Sequence, residues 1–227
     1  MELDLVVRRV EWKPCWRIIP TRLPRINVYG RIASADDFAA LDAVEQLTNE
    51  RARMHAGGSY GKNVARDCGA EIILAPFAHP NPNGSRYSDG SYGVLYAART
   101  LATSIGETRY HRERFLRYTD EPEMFLPMRA FKLDADGKFH DLRGHRRALP
   151  AVYSATSYAA SQPLGKRLHE RGSHGLAYDS VRHDGGQCVA AFEPAPFSRC
   201  RVGRELLYLW NGDSITDVLF LSRGAGA

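Results

Sequence analysis

Residues 83–117 read NGSRYSDGSYGVLYAARTLATSIGETRYHRERFLR, and they carry a loop, a strand and a helix in succession. The loop is polar and glycine-rich, with an arginine and hydroxyls at Arg86, Ser88 and Ser91. Ser91 to Ala97 reads as a strand that ends near Tyr96. Thr100 then opens a helix running to about Arg117. Helical spacing sets Glu107, Tyr110, His111 and Arg114 on one side. Two readings of Glu107 stay open at this level. It pairs with His111 on a surface helix, or it is a carboxylate presented to a site.

Outward from this stretch, strands dominate. Towards the N-terminus, residues 3–9 and 16–20 read as short strands or extended lead-ins, and residues 26–32 as a better strand. Ser34 caps a helix running to about Met54, with Phe38, Leu41, Val44 and Leu47 at helical spacing, and Gly57-Gly58 breaks it. Glu71 to Phe77 is a strand candidate. Towards the C-terminus, Met128–Leu133 and Lys138–Leu142 are expected to pair around Asp136-Gly137 as a hairpin. Ser157–Arg171 reads as a helix with Gly172 at its C′ position. Gly175–Arg182 and Gln187–Phe192 pair around Gly185-Gly186, and Glu205–Trp210 and Ile215–Leu221 around Asn211-Gly212. Mainly antiparallel strands with about three helices predict an α+β fold in a single domain. The expected division is a lead-in over 1–25 packed on the domain, the domain itself over 26–222, and a flexible tail over 223–227.

Composition removes several classes of protein. The chain has 227 residues, 44% of them hydrophobic and 25% charged, which suits a globular domain that builds its own core. Four scattered cysteines form no C-x-x-C pair, so neither a disulfide scaffold nor a thiolate zinc site is expected. Acidic residues at Glu2 and Asp4 and the lack of an apolar core behind them argue against a signal peptide, and no apolar run is long enough to span a membrane. The expected compartment is the cytoplasm. Of 31 basic residues five are lysine and 26 arginine. Arginine suits bidentate phosphate recognition, although GC-rich coding produces the same excess. No basic run reaches five residues, so a nucleic-acid tail is not indicated.

Several motifs are decoys. Gly57-Gly58-Ser59-Tyr60-Gly61-Lys62-Asn63 lacks both the leading glycine and the magnesium-binding hydroxyl of a phosphate loop. His169 to His174 is one residue too long for a zincin pair, and Gly172 breaks its helix. There is no G-x-S-x-G, and the eight histidines show no metal-ligand spacing.

Ser85-Arg86-Tyr87-Ser88-Asp89-Gly90, Gly93 to Ala98 and Ile105-Gly106-Glu107-Thr108 together resemble the core of the RES domain, named for an Arg, a Glu and a Ser. By this resemblance the three correspond to Arg31 in Val28-Tyr29-Gly30-Arg31-Ile32, to Glu107, and to Ser180 in Tyr178-Asp179-Ser180-Val181-Arg182. Shorter members usually read Tyr-Arg where this chain has Tyr29-Gly30-Arg31. Tyr110 to Phe115 looks closest to the ParT branch. The resemblance implies a bacterial type II toxin that consumes NAD, with a split sheet similar to diphtheria-type ADP-ribosyltransferases. It also implies a partner, an antitoxin with an Xre-like helix-turn-helix that plugs the active site. ParT-like members ADP-ribosylate a phosphoribosyl pyrophosphate synthetase; others pass ADP-ribose to phosphate or water.

The residues suit that chemistry. Breaking the nicotinamide–ribose bond passes through an oxocarbenium-like transition state, which a carboxylate such as Glu107 stabilises. Tyr96 offers nicotinamide a face to stack on. Arg31 and Arg86 can grip the pyrophosphate, with Ser88 in the same loop as a further NAD contact. Ser180 is a hydrogen-bond partner for ribose or the nicotinamide amide. No metal is required. The remote rival, a basic nucleic-acid-binding module, lacks an aromatic–basic stripe or a recognition helix.

Overall fold

The computed structural model describes residues 5–21 and 70–221. The strand expected over 26–32, the helix over 34–54, Arg31 and the C-terminal tail lie outside the described residues. In chain order the elements are β1 (Val7–Pro20), α1 (Ala70–Ala78), β2 (Leu95–Ala98), α2 (Leu101–Tyr118), β3 (Met124–Asp141), α3 (Ser161–Glu170), β4 (Gly175–Asp179), β5 (Gln187–Ala191), β6 (Phe197–Trp210) and β7 (Ile215–Leu221).

All seven strands join one sheet in the order β1-β2-β5-β4-β3-β6-β7. Every pairing is antiparallel except β3–β4, where His140 faces Leu176 and Asp141 faces Ala177 in parallel. The mixed, mostly antiparallel sheet with flanking helices is the α+β architecture expected. It is not split among the described residues. β1 pairs with β2 at Trp16↔Ala98 and with β3 from Val7↔His140 to Pro20↔Met128, so the sheet closes on itself through β1. The segment expected as an N-terminal lead-in thus supplies, in its described part, a strand of the sheet. From Val7 on, the two short pieces expected over 3–9 and 16–20 belong to one strand, irregular in register between Trp12 and Cys15.

Two further expectations are corrected. Glu71–Phe77 is helical, as part of α1, not a strand. An apolar run of this length has no periodicity that separates a buried helix from a buried strand. Here Ile72, Ile73 and Phe77 lie against the core formed by Val10, Leu95, Leu133 and Phe139. Asp136-Gly137 is not a hairpin turn, because β3 runs straight through it with Glu11↔Asp136 and Val10↔Gly137 paired across to β1. A type I′ turn needs positive φ at both central residues, which neither Asp136 nor Gly137 adopts. Gly137 is needed instead for a close approach: a Cβ there would lie 2.9 Å from Cβ of Pro196. Asp136 is held by a two-pronged bond from Arg9, at 2.8 and 2.7 Å.

The helices that border the site follow their local signals. Thr100 caps α2, its hydroxyl accepting from the Thr103 amide at 3.1 Å. α3 starts at Ser161, later than expected, and ends in a Schellman-type closure. The Ser173 amide donates to Leu168 and the Gly172 amide to His169, with Gly172 at φ +69. Leu164 and Leu168 of α3 pack on Leu176 and Ala190, while Leu116 of α2 packs on Met128, Tyr208 and Trp210. Burying each such side chain contributes about 1.5–3 kcal/mol. The first face holds α3 against the β4–β5 hairpin, and the second holds α2 against β3 and β6.

Candidate active site

Glu107 sits in the second turn of α2, next to Gly106. A Cβ on Gly106 would lie 3.2 Å from the Arg182 carbonyl oxygen and 3.3 Å from Cβ of His183. The missing side chain lets α2 come close to the turn that follows β4. Across that approach Ser180 Oγ donates to Glu107 Oε1 at 2.6 Å. Ser180 Oγ in turn accepts from the backbone amides of Arg182 at 3.1 Å and His183 at 3.0 Å. The one proton and both lone pairs of Ser180 are therefore occupied, and the residue is 1% exposed. Two amides pointing at Oγ make its proton a better donor to the carboxylate. The hydroxyl of Thr103, on the same helix, bonds Nδ1 of His183 at 3.0 Å and joins α2 to the turn a second time.

Tyr178 lies on β4, two residues before Ser180. Burial first, then Cys188, Glu107, Tyr87 and Tyr96, push the pKa of its phenol well above the ordinary value. Tyr87 and Tyr178 meet edge to face at 5.1 Å. The Tyr96 hydroxyl bonds Ser85 Oγ at 2.8 Å and accepts from the Tyr87 amide at 3.0 Å. Burial pushes Tyr96 up to about 12, so it stays neutral. Its polar end is committed within the fold, which leaves the ring as the part that can meet a ligand.

Arg86 is buried, 7% exposed. Its Nη1 donates to the carbonyls of Val152 at 3.2 Å and Ser154 at 3.0 Å, and its guanidinium covers the Tyr158 ring at 4.9 Å. Ser88 is 3% exposed; it donates to the Tyr92 carbonyl at 2.7 Å and accepts from the Gly90 amide at 3.0 Å. Its donor thus closes its own loop.

The outer side of α2 is cationic. The Arg182 guanidinium stacks on the Tyr110 ring at 3.2 Å, and both Arg182 and the Tyr110 hydroxyl donate to the Ala155 carbonyl. His111 meets Tyr110 edge to face at 5.4 Å. Crowding by neighbouring atoms, then the charges of Arg182, Arg86, Arg112 and Arg114, pull its imidazole down to about 4. His111 is therefore neutral at pH 7, and Glu107 bonds Ser180 rather than His111. Among the described residues no cluster of three or more His, Cys, Asp or Glu is placed to hold a metal.

Residues 64–211 match the family profile of the RES domain. The chain belongs to the RES-domain family. An uncharacterised protein of Sinorhizobium fredii, y4oC, is 30% identical over 207 residues, covering 88% of this chain and 84% of that protein. The solved MbcT–MbcA toxin–antitoxin complex of M. tuberculosis matches 90% of this chain and 87% of that chain, at 12% identity and a TM-score of 0.46.

In this RES-domain protein the matched span holds Arg86, Ser88, Tyr96, Glu107 and Ser180, and both Arg31 and Arg17 precede it. Sequence reasoning overlooked Arg17. On β1, its Nη1 donates to the Tyr96 carbonyl at 3.1 Å, while its Nε is buried with no hydrogen-bond partner. Burial lowers its pKa to about 10, so it remains cationic at neutral pH. A signal was present: Trp16-Arg17 is an aromatic–arginine pair without the glycine that interrupts Tyr29-Gly30-Arg31. Arg182 was also overlooked, since its stacking on Tyr110 joins residues far apart in the chain.

Proposed function

We propose that the chain is the toxin of a bacterial type II toxin–antitoxin pair and an NAD-consuming mono-ADP-ribosyltransferase. The observation that carries this reading is the half-buried Glu107 carboxylate held at 2.6 Å by Ser180, with Tyr96 and Tyr178 alongside. Such a group suits the ribose of NAD. The C1′–nitrogen bond breaks, its electron pair leaves with nicotinamide, and Glu107 stabilises the positive charge left on the ribose. A lone pair on the acceptor then forms the new bond at C1′, and the acceptor gives up its proton. Ser180 acts through Glu107 by fixing the carboxylate. The Tyr96 ring suits nicotinamide stacking. Arg17, with a free buried Nε, supports binding of the diphosphate, alongside Arg31 and Arg86. Ser88 shapes the loop that carries Arg86.

The resemblance to the ParT branch supports phosphoribosyl pyrophosphate synthetase as the acceptor, a diphtheria-type fold, the cytoplasm as the site of action, and an Xre-like antitoxin that occupies the pocket. A second reading, transfer to inorganic phosphate or water, is favoured by the arginines around His111, which suit an anionic acceptor. The deciding experiment is mass spectrometry of NAD products with and without phosphate, together with a search for ADP-ribosylated protein. Protein adducts support the first reading and ADP-ribose phosphate the second. Intact NAD in both overturns the function.

A further inference from the structure

Not all polar groups around the site are satisfied within the chain, and Tyr158 stands out among them. It lies in the loop between Tyr153 and α3. Its backbone is anchored, the carbonyl accepting from the Gln162 amide at 2.9 Å and from Ser161 Oγ at 3.3 Å. Its ring is anchored as well, under the Arg86 guanidinium at 4.9 Å. Arg86 fixes the preceding loop through the Val152 and Ser154 carbonyls, so ring and loop are held by one side chain. The hydroxyl at the end of this rigid group is buried and has no hydrogen-bond partner. A buried donor without an acceptor is costly, so an accepting atom brought in from outside the chain is favoured there.

Two features say what the ligand atom is. Tyr158 lies against the loop that holds Tyr96: the Arg86 guanidinium covers its ring, and the amide of the next residue, Tyr87, donates to the Tyr96 hydroxyl at 3.0 Å. Each tyrosine has a cation of its own: Arg86 covers the Tyr158 ring, and Arg17 reaches the Tyr96 main chain with its own Nε unpaired. A phenol beside guanidinium groups is a strong donor, and an anionic oxygen is its best acceptor there. We infer that Tyr158 is a further substrate-binding residue, donating its hydroxyl to a diphosphate oxygen of the dinucleotide. The assignment rests on the NAD reading above. Besides its proposed place at the diphosphate, Arg86 holds the loop and presents Tyr158.

The test is Tyr158→Phe, which removes one oxygen and leaves the ring under Arg86. Calorimetry with NAD, ADP-ribose and nicotinamide, and melting of the free protein, are the readouts. The expected result is a roughly tenfold weaker Kd for NAD and ADP-ribose alike, matching the loss of one hydrogen bond. Nicotinamide binding is unchanged. The free protein melts no lower than wild type, because the hydroxyl makes no bond there. Equal NAD affinity in the variant overturns the assignment, as does a loss seen with nicotinamide but not ADP-ribose, or a drop in melting temperature that accompanies the loss of affinity. A wild-type chain that binds no NAD overturns the underlying reading and the assignment with it.

Discussion

Gly106 faces the main-chain carbonyl of Arg182 so closely that a methyl group would stand 3.2 Å from the oxygen. The residue after the one and the residue two before the other are Glu107 and Ser180, joined at 2.6 Å. The bare glycine surface therefore sets the separation between carboxylate and hydroxyl. Gly106→Val should push the turn after β4 outward while the helix persists, since valine costs a helix no more than glycine does. A displacement of about 1 Å at a reacting group costs on the order of 100-fold in rate. NAD consumption and circular dichroism on the same preparation check this. A folded variant with wild-type turnover would show that the approach has no bearing on the chemistry.

Glu107→Gln keeps the shape and can still accept from Ser180, but loses the charge. NAD consumption should fall by about 100-fold or more with melting temperature nearly unchanged. Turnover near the wild-type rate would remove Glu107 from the reaction.

Ser180→Ala acts on both stability and rate. The amides of Arg182 and His183 lose their acceptor, and Glu107 loses its donor. Unfolding free energy should drop by about 1–3 kcal/mol. The NAD turnover number should drop further than the affinity, because the carboxylate is no longer held. Denaturant titration and a comparison of kcat with KM measure the two effects separately.

Arg17→Lys retains a positive charge and gives up the planar fork. A roughly tenfold rise in KM for NAD is expected, on the scale of one lost charge-assisted hydrogen bond. Arg31→Lys, measured beside it, ranks the two arginines. An unchanged KM in Arg17→Lys would leave Arg17 a purely structural cation.

His111 gives the protein a defined acid limb. Its ordinary pKa is about 6.5, and in the fold it falls to about 4. As pH falls, the unfolded chain therefore takes up this proton first. The stability that neutral His111 contributes is complete above about pH 6.5, declines between there and about 4, and changes no further below. Solvent around the exposed imidazole makes the slope shallower than the shift alone implies. In His111→Gln the decline in urea midpoint from pH 7 to pH 5 should be smaller than in wild type. Equal declines would assign the acid limb to other groups.

Local chemistry made much of this fold legible. Thr100 ahead of α2, Gly172 behind α3, and the Gly185-Gly186 and Asn211-Gly212 turns all act within a few residues, and no distant strand overrides them. Asp136-Gly137 carried the same signal and misled, because β1 comes from the far end of the chain to pair with it. Glu71 to Phe77 misled because continuous apolarity has no period. The site was legible only in part for the same reason. Glu107 and Ser180 were found through motif resemblance, whereas the bond between them spans 73 positions and no spacing rule reaches that far. Arg17 was missed because a charged residue in a short lead-in looks like surface, and only its place beside Tyr96 distinguishes it.

The closure of the sheet through β1 imposes a timetable on synthesis. Val7 leaves the ribosome well before its partner His140, and Ser180 follows later still. At about 5–20 residues per second, the first strand waits on the order of ten seconds for its neighbour. During that interval Arg17 has no Tyr96 carbonyl to hold in a finished sheet, and Glu107 has no hydroxyl to fix it. The Glu107–Ser180 bond is thus among the later contacts open to the growing chain, after the residues that pair with β1 have emerged.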